Sequence, residues 1–257
     1  MRLAIVGGKL QGIECAYLAK KAGYSTVVID RRPNAPALSL ADESMVLDLV
    51  ARKEEAANIL ADCDAVLPAN EDLVTLTALE ELSQKVGVPL LFDLEAYRIS
   101  SSKLLSNKLL SELNIPIPHP WPECGYPVVV KPSSFSGSSG VTKATCLPEL
   151  DEGLSRIKAL NDDVVVQEFV EGPSISIEVI GDGEEAVPLV TTEVVIDSSY
   201  DCRMVRCPFV GLDAPMEEQF GEWGRRIARR MSLRGIMDVE AIVHNGLPRV
   251  LEIDARM

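Results

Sequence analysis

Short apolar runs alternate with longer amphipathic stretches along the first part of the chain. The runs are rich in Val, Ile, Leu and Ala, a pattern typical of strands buried on both faces of a parallel sheet. The stretches between them have the period of amphipathic helices. The predicted strands are residues 2–8, 25–30, 62–68 and 88–93, with helices over residues 9–23 and 71–86. This order predicts one doubly wound, Rossmann-like α/β domain over residues 1–97.

The pattern changes near residue 100. Serines 100–102 are good N-caps for an amphipathic helix over residues 103–113, and a proline-rich segment ends that helix. Beyond it, strands outnumber helices in an α+β pattern. The predicted strands are residues 126–132, 164–168, 175–181, 186–196 and 202–208, and the predicted helices are 149–160 and 216–232. We divide this part of the chain into residues 98–170 and 171–257.

The segment 236–256 is predicted to be a β-hairpin whose Asn-Gly turn supplies positive φ angles. Acidic residues stand two apart in each strand, so each pair points to one face of the sheet. Because facing buried carboxylates are costly without a cation, the hairpin indicates a divalent metal site suited to Mg²⁺, with Mn²⁺ as the alternative ion. A half-solvated amphipathic hairpin is the simpler interpretation. The charged positions are Asp238, Glu240, Glu252, Asp254 and Arg256.

The composition narrows the function classes. The chain has 257 residues and a formal net charge of −14, which argues against a general nucleic-acid binder because such proteins need a basic surface. No stretch approaches the length of a membrane span, and the N-terminus lacks a signal-peptide pattern. The six cysteines show neither metal-site nor disulfide spacing. We therefore predict a cytoplasmic protein with free thiols and with neither nucleic acid nor membrane among its partners.

Two features in the middle of the chain suit phosphate binding. Lys131 interrupts an apolar strand, where a lysine is costly unless it meets an anion. The loop 133–140, SSFSGSSG, offers backbone N–H groups and hydroxyls, although it is not a Walker A loop. Each has a simpler interpretation: a lysine with its ammonium in water, and a surface connection. Together with the acidic hairpin they predict a nucleotide site.

The first strand ends in a glycine turn whose sequence is compatible with more than one kind of ligand. The spacing Gly7-Gly8-x-x-x-Gly12 departs from the dinucleotide-binding pattern GxGxxG, and tight strand-to-helix turns favour glycine in any case. Asp30 nevertheless stands where such folds place the acid that binds ribose, so an NAD site is one candidate. Residues after the first and third predicted strands should open on the same crevice and contact a substrate; for Asn70, helix capping is the alternative. These residues are Lys9, Leu10, Gln11, Asn70 and Glu71.

Several segments resemble the ATP-grasp ligases, and within them the ligases that join 3-methylornithine to L-lysine in pyrrolysine biosynthesis. They are GGKLQG, LFDLEAYRISSSK, VEGPSISIEVIGDG, YDCRMV and LRGIMDVEAI…LEIDAR, which span the chain from start to finish. The resemblance implies an ATP-grasp fold with a Rossmann-like first domain of the biotin-carboxylase type, which serves the substrate rather than NAD. It also implies that the final subdomain is incomplete at residue 257, so we expect a longer chain, a completing C-terminal chain or a homodimer.

The resemblance also implies roles for individual residues. Lys103 and Lys131 would contact the ATP phosphates under a lid formed by Ser133–Gly140. Ser174 stands where many ATP-grasp enzymes have a ribose-binding acid, so Glu171 or Glu178 would take that contact. Further ATP-binding residues would be Ser134, Ser136, Gly137, Ser138, Glu168, Phe169 and Val170.

For the metal and the second substrate, the resemblance implies a further set. Asp238, Glu252 and Asp254 would bind the metal, with Glu240 behind them. Arg256 and Lys131 would act catalytically by steadying the transferring phosphate. Substrate-binding residues would be Tyr200, Asp201 and Arg203, the last at a position where the related ligases have His.

The implied reaction is an ATP- and Mg²⁺-dependent amide ligation between small amino acids. An amino-acid carboxylate becomes an acyl phosphate, which the side-chain amine of L-lysine then attacks. The alternatives are another ATP-grasp carboxylate–amine ligase, a carbamoyl-phosphate-synthase-like protein, or a truncated relic that binds nucleotide without ligase activity.

Overall fold

The computed structural model describes residues 1–135, 137–197 and 200–256. They form two compact units, residues 1–94 and 95–256. The predicted boundary after residue 97 falls inside a helix, Leu94–Ser100. No helix of the described residues is both long and apolar enough to cross a membrane.

The first unit contains a four-stranded parallel sheet in the order β3-β2-β1-β4. A 3₁₀ turn over Pro36–Ser39 precedes β3. The strands are β1 (Arg2–Val6), β2 (Ser25–Asp30), β3 (Glu43–Val46) and β4 (Ala65–Pro68), and the helices are α1 (Leu10–Lys21), α2 (Lys53–Ala61) and α3 (Leu73–Val86).

Both faces of this sheet are buried, as the apolar runs predict. Side chains alternate along β1, so Ala4 and Val6 pack into one core cluster with Leu60 and Leu79, whereas Ile5 packs into the opposite cluster. The predicted doubly wound domain is thus confirmed. The predicted strand over residues 88–93 is wrong: it is reduced to one parallel bridge, Val66↔Leu90.

The glycine turn after β1 is required by close packing. A Cβ atom on Gly12 would lie 2.1 Å from the carbonyl oxygen of Gly7, and Gly7 itself has a φ of +119°. The turn therefore needs glycine to seat α1 against the end of β1.

The second unit contains two antiparallel sheets. The first has three strands in the order β6-β5-β7, and helix α6 covers one face. It is preceded by two short helices. The elements are α4 (Leu94–Ser100), α5 (Lys103–Glu112), β5 (Val128–Pro132), β6 (Thr142–Ala144), α6 (Leu147–Ala159) and β7 (Val164–Glu168).

The other sheet has five strands in the order β10-β9-β8-β11-β12, with helix α7 packed on one face. The predicted hairpin is present, with Asn245 and Gly246 both at positive φ. β11 begins two residues earlier than predicted, because Arg234 and Gly235 pair with Asp182 and Gly181 of β8. The elements are β8 (Ser174–Asp182), β9 (Ala186–Ile196), β10 (Cys202–Arg206), α7 (Ala214–Met231), β11 (Arg234–His244) and β12 (Leu247–Arg256).

Candidate functional site

One face of the five-stranded sheet carries a block of acidic side chains. Met237 and Val239 of β11 are fully buried, so the alternate residues Asp238 and Glu240 point to the opposite face. Asp238 lies opposite Asp254 of β12, and Glu240 lies opposite Glu252. On the other side, β8 places Glu178 beside Asp238 and Ser176 beside Glu240. Facing like charges destabilise a sheet, so this block needs cations.

A β-bulge beside Glu240 sets which residues reach the neighbouring cavity. The pairing of β11 with β12 shifts between Glu240 and Ala241, so that Leu251 is the extra residue. Leu251 and Glu252 both line the cavity, although consecutive residues of a regular strand point to opposite faces.

Arg256 neutralises one half of the block. Its guanidinium lies 3.4 Å from Asp238 and 3.3 Å from Asp254. Burial opposes the charge on Arg256, but these two carboxylates raise its pKa above the ordinary value. Burial also raises the pKa of Asp238 to about 6, despite the opposing effect of Arg256. The Oδ1 atom of Asp238 is buried without a hydrogen-bond partner among the described residues, which suits a further cation.

Glu240 and Glu252 form the half of the block that lines the cavity. Burial, followed by repulsion from Asp238 and Glu252, raises the pKa of Glu240 to about 7. Among the described residues no group of three or more His, Cys, Asp or Glu is gathered tightly enough to hold a metal alone. Because Mg²⁺ is usually held by one or two carboxylates together with phosphates, this donor set fits a metal that arrives with a nucleotide.

The cavity measures about 590 Å³ and is bounded by strands of both sheets in the second unit. Val128 and Val130 of β5 point into the core under α6, so the alternate residues Val129 and Lys131 face the cavity.

Lys131 is a buried cation on the cavity wall. Lys131 is only 6% exposed. In the described part of the chain, no hydrogen bond or ion pair is made by its ammonium. Burial, followed by the nearby Lys103, lowers the pKa of Lys131 to about 8, although Glu252 and Glu240 oppose the shift. Because the two nearby carboxylates offset only part of the cost of burying this ammonium, the position suits a bound anion.

Lys103 begins α5 and is held in place on two sides. Its ammonium donates to the carbonyl oxygen of Phe135 at 2.7 Å and lies 3.3 Å from the Glu252 carboxylate. The side chain of Ser102 caps the helix by accepting from the N–H of Leu105. Lys103 therefore joins the acidic block to the start of the serine-rich loop.

The serine-rich loop contacts the segment before β10. Gly137 and Ser138 have positive φ and line the cavity, and the Ser138 hydroxyl donates to the carbonyl oxygen of Tyr200 at 2.9 Å. Tyr200 and Asp201 also line the cavity.

The end of β7 forms another wall. Glu168, Phe169 and Val170 all line the cavity. The Lys143 ammonium lies 3.7 Å from the centre of the Phe169 ring and 3.8 Å from Glu171. The N–H of Val170 makes no backbone hydrogen bond in the described part of the chain, whereas that of Phe169 donates to Pro127.

The first unit has its own cavity of about 810 Å³ at the carboxyl ends of β1, β2 and β4. The predicted substrate residues line it together: Lys9, Leu10, Gln11, Asn70 and Glu71. Gln11 donates to Glu71 at 2.9 Å. Asn70 donates to the carbonyl oxygen of Val6 and accepts from the N–H of Asp72, so its amide also holds the loop before α3.

Asp30 is committed to the protein itself. Its carboxylate accepts from the N–H of Gly8 at 2.7 Å and from both the backbone and the guanidinium of Arg32. Burial opposes its charge, but these donors lower its pKa. The carboxylate is therefore engaged where a ribose hydroxyl would need it, which argues against the NAD candidate.

Comparison with known proteins decides the family. A domain model described as the ATP-grasp domain matches residues 100–257. The chain belongs to the ATP-grasp family. A second model, described as the PylC-like N-terminal domain, matches residues 3–91.

The chain is similar to ligases of two Methanosarcina species. It is 38% identical to the 3-methyl-D-ornithine–L-lysine ligase of Methanosarcina mazei, over 99% of this chain and 65% of the relative. It is 39% identical to the enzyme of that name from Methanosarcina barkeri, over 99% of this chain and 66% of the relative. The chain thus spans about two thirds of the length of these relatives, just under that fraction in both.

Solved structures share the ATP-grasp fold. The biotin carboxylase domain of Hydrogenobacter thermophilus 2-oxoglutarate carboxylase, a complex with MgADP, superposes with a TM-score of 0.85 at 18% identity, over 99% of this chain and 64% of that one. The ADP complex of N5-carboxyaminoimidazole ribonucleotide synthetase gives a TM-score of 0.84 at 18% identity, over 100% of this chain and 70% of that one. The predicted ATP-grasp fold with a Rossmann-like first domain is confirmed.

Within this ATP-grasp fold, most of the predicted nucleotide residues meet at one cavity, but some lie elsewhere. Ser134 is exposed, its N–H donates to Asp162, and it does not line the cavity. Arg203 is held by Asp197 at 2.5 Å and is also outside the lining. Glu178 lies in the acidic block beside Asp238 rather than on the cavity wall. Ser136 lies outside the described residues.

Glu240 was predicted to lie behind the metal acids. In the structure it lines the cavity beside Glu252, and the pair Asp238 and Asp254 lies one row further along the strands. The signal was present in the two-residue spacing. It could not show which row lies nearer the cavity.

Proposed function

We propose that this ATP-grasp chain belongs to a ligase that uses ATP and Mg²⁺ to join the carboxylate of 3-methyl-D-ornithine, or a close analogue, to the side-chain amine of L-lysine. The observation that carries the proposal is Lys131, a buried ammonium that has no hydrogen-bond or ion-pair partner among the described residues and lines the same cavity as Glu240 and Glu252. The similarity to the Methanosarcina ligases supports the choice of amino acids.

The charges of the cavity favour a nucleotide that carries its own metal. Lys103 and Lys131 line it together with the carboxylates Glu240, Glu252 and Asp201. A bare triphosphate would be repelled by these acids, whereas a triphosphate bound to Mg²⁺ satisfies both signs. We propose that the predicted metal acids Asp238, Glu252 and Asp254, together with Glu240, hold the ion.

In the proposed reaction, the carboxylate oxygen of the first amino acid attacks the γ-phosphorus of ATP, and ADP leaves. The lysine amine then attacks the acyl-phosphate carbonyl, inorganic phosphate leaves, and the amine loses a proton as the amide forms. Lys103, Lys131 and Arg256 balance the negative charge of the transferring phosphoryl group. The bound metal, when present, supplies further positive charge at the phosphate oxygens.

The serine-rich loop would protect the acyl phosphate from water. Ser138 contacts the segment at Tyr200 through a hydrogen bond, and excluding water limits hydrolysis of such an intermediate. Asp201, on the same wall, offers a carboxylate to a substrate ammonium group.

We assign the cavity of the first unit to an amino-acid substrate as well. Lys9 suits a carboxylate, and Glu71 suits an ammonium group, as a zwitterionic ligand requires. Cytoplasmic location and homodimer formation remain predictions, and sedimentation of the purified chain would test the second.

The test is phosphate release by the full chain with ATP, Mg²⁺, L-lysine and 3-methyl-D-ornithine, with mass spectrometry of the product. We expect release to require both amino acids and the product to contain one amide between them. Reactions lacking one amino acid, and the Lys131→Ala variant, are the controls. ATP binding without phosphate release in the complete mixture would contradict a ligase function for this chain.

A further inference from the structure

The Glu168 carboxylate at the cavity wall is already bound by another protein group. Arg249 of β12 donates to Glu168 Oε2, which also accepts from the backbone N–H of His119 at 3.2 Å. The side chains of Arg249 and Glu168 are only 18% and 25% exposed. A charge-assisted pair of this kind is stronger than a surface ion pair, so its geometry is well defined.

The pair joins the two sheets that bound the cavity. Arg249 belongs to β12 of the five-stranded sheet. It pairs with Ile242 of β11, two residues along that strand from Glu240. Glu168 is the last residue of β7 in the three-stranded sheet. The Arg249–Glu168 pair therefore fixes the distance between the two sheets at the side of the cavity that the end of β7 lines.

The segment between them reinforces the link. The N–H of Val250 donates to the carbonyl oxygen of Pro116 at 2.8 Å, and the N–H of Glu168 donates to that of His119 at 2.8 Å. Residues 116–119 thus bridge β12 and β7 through backbone hydrogen bonds, and the Arg249–Glu168 pair closes the same bridge through side chains.

We propose that Arg249 is a positioning residue for nucleotide binding, which holds the Glu168 carboxylate and thereby fixes the backbone of residues 168–170 that the nucleotide meets. In this arrangement the Glu168 carboxylate binds protein groups, and the backbone N–H of Val170, which makes no backbone hydrogen bond among the described residues, is available to the ligand. The inference rests on the proposed function, because it assumes that the cavity binds ATP.

Arg249→Met in the full chain tests the proposal by calorimetric titration with MgATP. Small displacements of binding groups cost up to about a hundredfold, and we expect the Kd for MgATP to rise at least roughly tenfold. Glu168→Gln should give a similar rise, the double variant should be no weaker than either single variant, and Arg249→Lys should recover part of the affinity. Arg229→Met, which removes a 2.7 Å ion pair to Glu185 away from the cavity, is the matched control.

Amide hydrogen exchange separates this proposal from the proposed function. Without any nucleotide, exchange at residues 168–170 should accelerate in Arg249→Met but not in Arg229→Met. Unchanged exchange and unchanged Kd would overturn the proposal, as would a loss of affinity in Glu168→Gln but not in Arg249→Met, because Glu168 would then be a direct ligand. If the wild-type chain fails to bind MgATP, the proposed function is wrong. The exchange result then still tests whether the Arg249–Glu168 pair fixes the backbone of residues 168–170.

Discussion

Replacing Lys131 by methionine should stabilise the ligand-free protein while it removes ATP binding. Methionine keeps most of the apolar length of the side chain but removes the buried ammonium, for which the residues that the structure describes supply no hydrogen bond or ion pair. Sites built for a ligand commonly show this opposition between stability and function.

The magnitude follows from the pKa of Lys131, which falls from 10.5 to about 8. At about 1.4 kcal/mol for each pKa unit, the folded state loses about 3 kcal/mol while the ammonium is protonated. Between these two pH values the folded protein has released the proton and the unfolded chain still holds it. The stability of the wild type therefore rises with pH across this window, and the advantage of the variant disappears above it.

Urea unfolding followed by tryptophan fluorescence measures this effect selectively. Both tryptophans, Trp121 and Trp223, lie in the second unit, which contains Lys131. At pH 7 the variant should be more stable by up to about 3 kcal/mol, and near pH 9.5 by about 1 kcal/mol. Lys108→Met, at an exposed position of α5, should change stability by less than about 0.5 kcal/mol.

Adding MgATP should reverse the order. At about a hundred times its Kd, the ligand stabilises the wild type by about 2.7 kcal/mol, whereas the variant should gain little. Two results would refute the view that Lys131 is an incompletely neutralised cation that binds phosphate. They are a variant that is less stable than the wild type at pH 7, and a variant whose stability still rises between pH 8 and 10.5.

Three further predictions concern the metal acids and the fold. Glu252→Gln should abolish Mg²⁺-dependent phosphate release while weakening ATP binding only moderately; a Mg²⁺ titration checks this, and an unchanged dependence would reject the metal assignment. The ligand-free second unit should lose stability as the pH rises towards 7. In the folded state Asp238 and Glu240 have raised pKa values of about 6 and about 7 and therefore keep their protons, whereas the unfolded chain has already released these protons at lower pH. Urea unfolding between pH 5 and 7.5 measures this slope, and saturating MgATP should flatten it; a slope of the opposite sign would contradict it. Gly12→Ala should destabilise the first unit by about 1–3 kcal/mol, because its Cβ would lie 2.1 Å from the Gly7 oxygen; thermal unfolding with full retention of stability would show that the turn can relax.

Local patterns predicted the elements that depend on neighbouring residues. The Asn245–Gly246 turn, the alternation in β11 and β12, and the glycine turn after β1 all follow from conformational preferences within a few residues. The predicted strand at 88–93 is reduced to the bridge Val66↔Leu90 on the edge strand β4, because an apolar run does not show over how many residues it will pair with a neighbouring strand.

The sequence by itself predicted that a cation pair and a carboxylate set belong to one site, since charges in apolar strands are costly without partners; in the structure Lys103, Lys131 and Glu252 line one cavity. Tertiary structure alone decided which acids reach the cavity, because a bulge and the packing of distant strands set the row that faces it. It also decided that Asp30 accepts from the N–H of Gly8, 22 residues away in sequence, and that Arg249 binds Glu168, 81 residues away. Hydrogen bonds of that range depend on how separate elements pack, and no local periodicity encodes them.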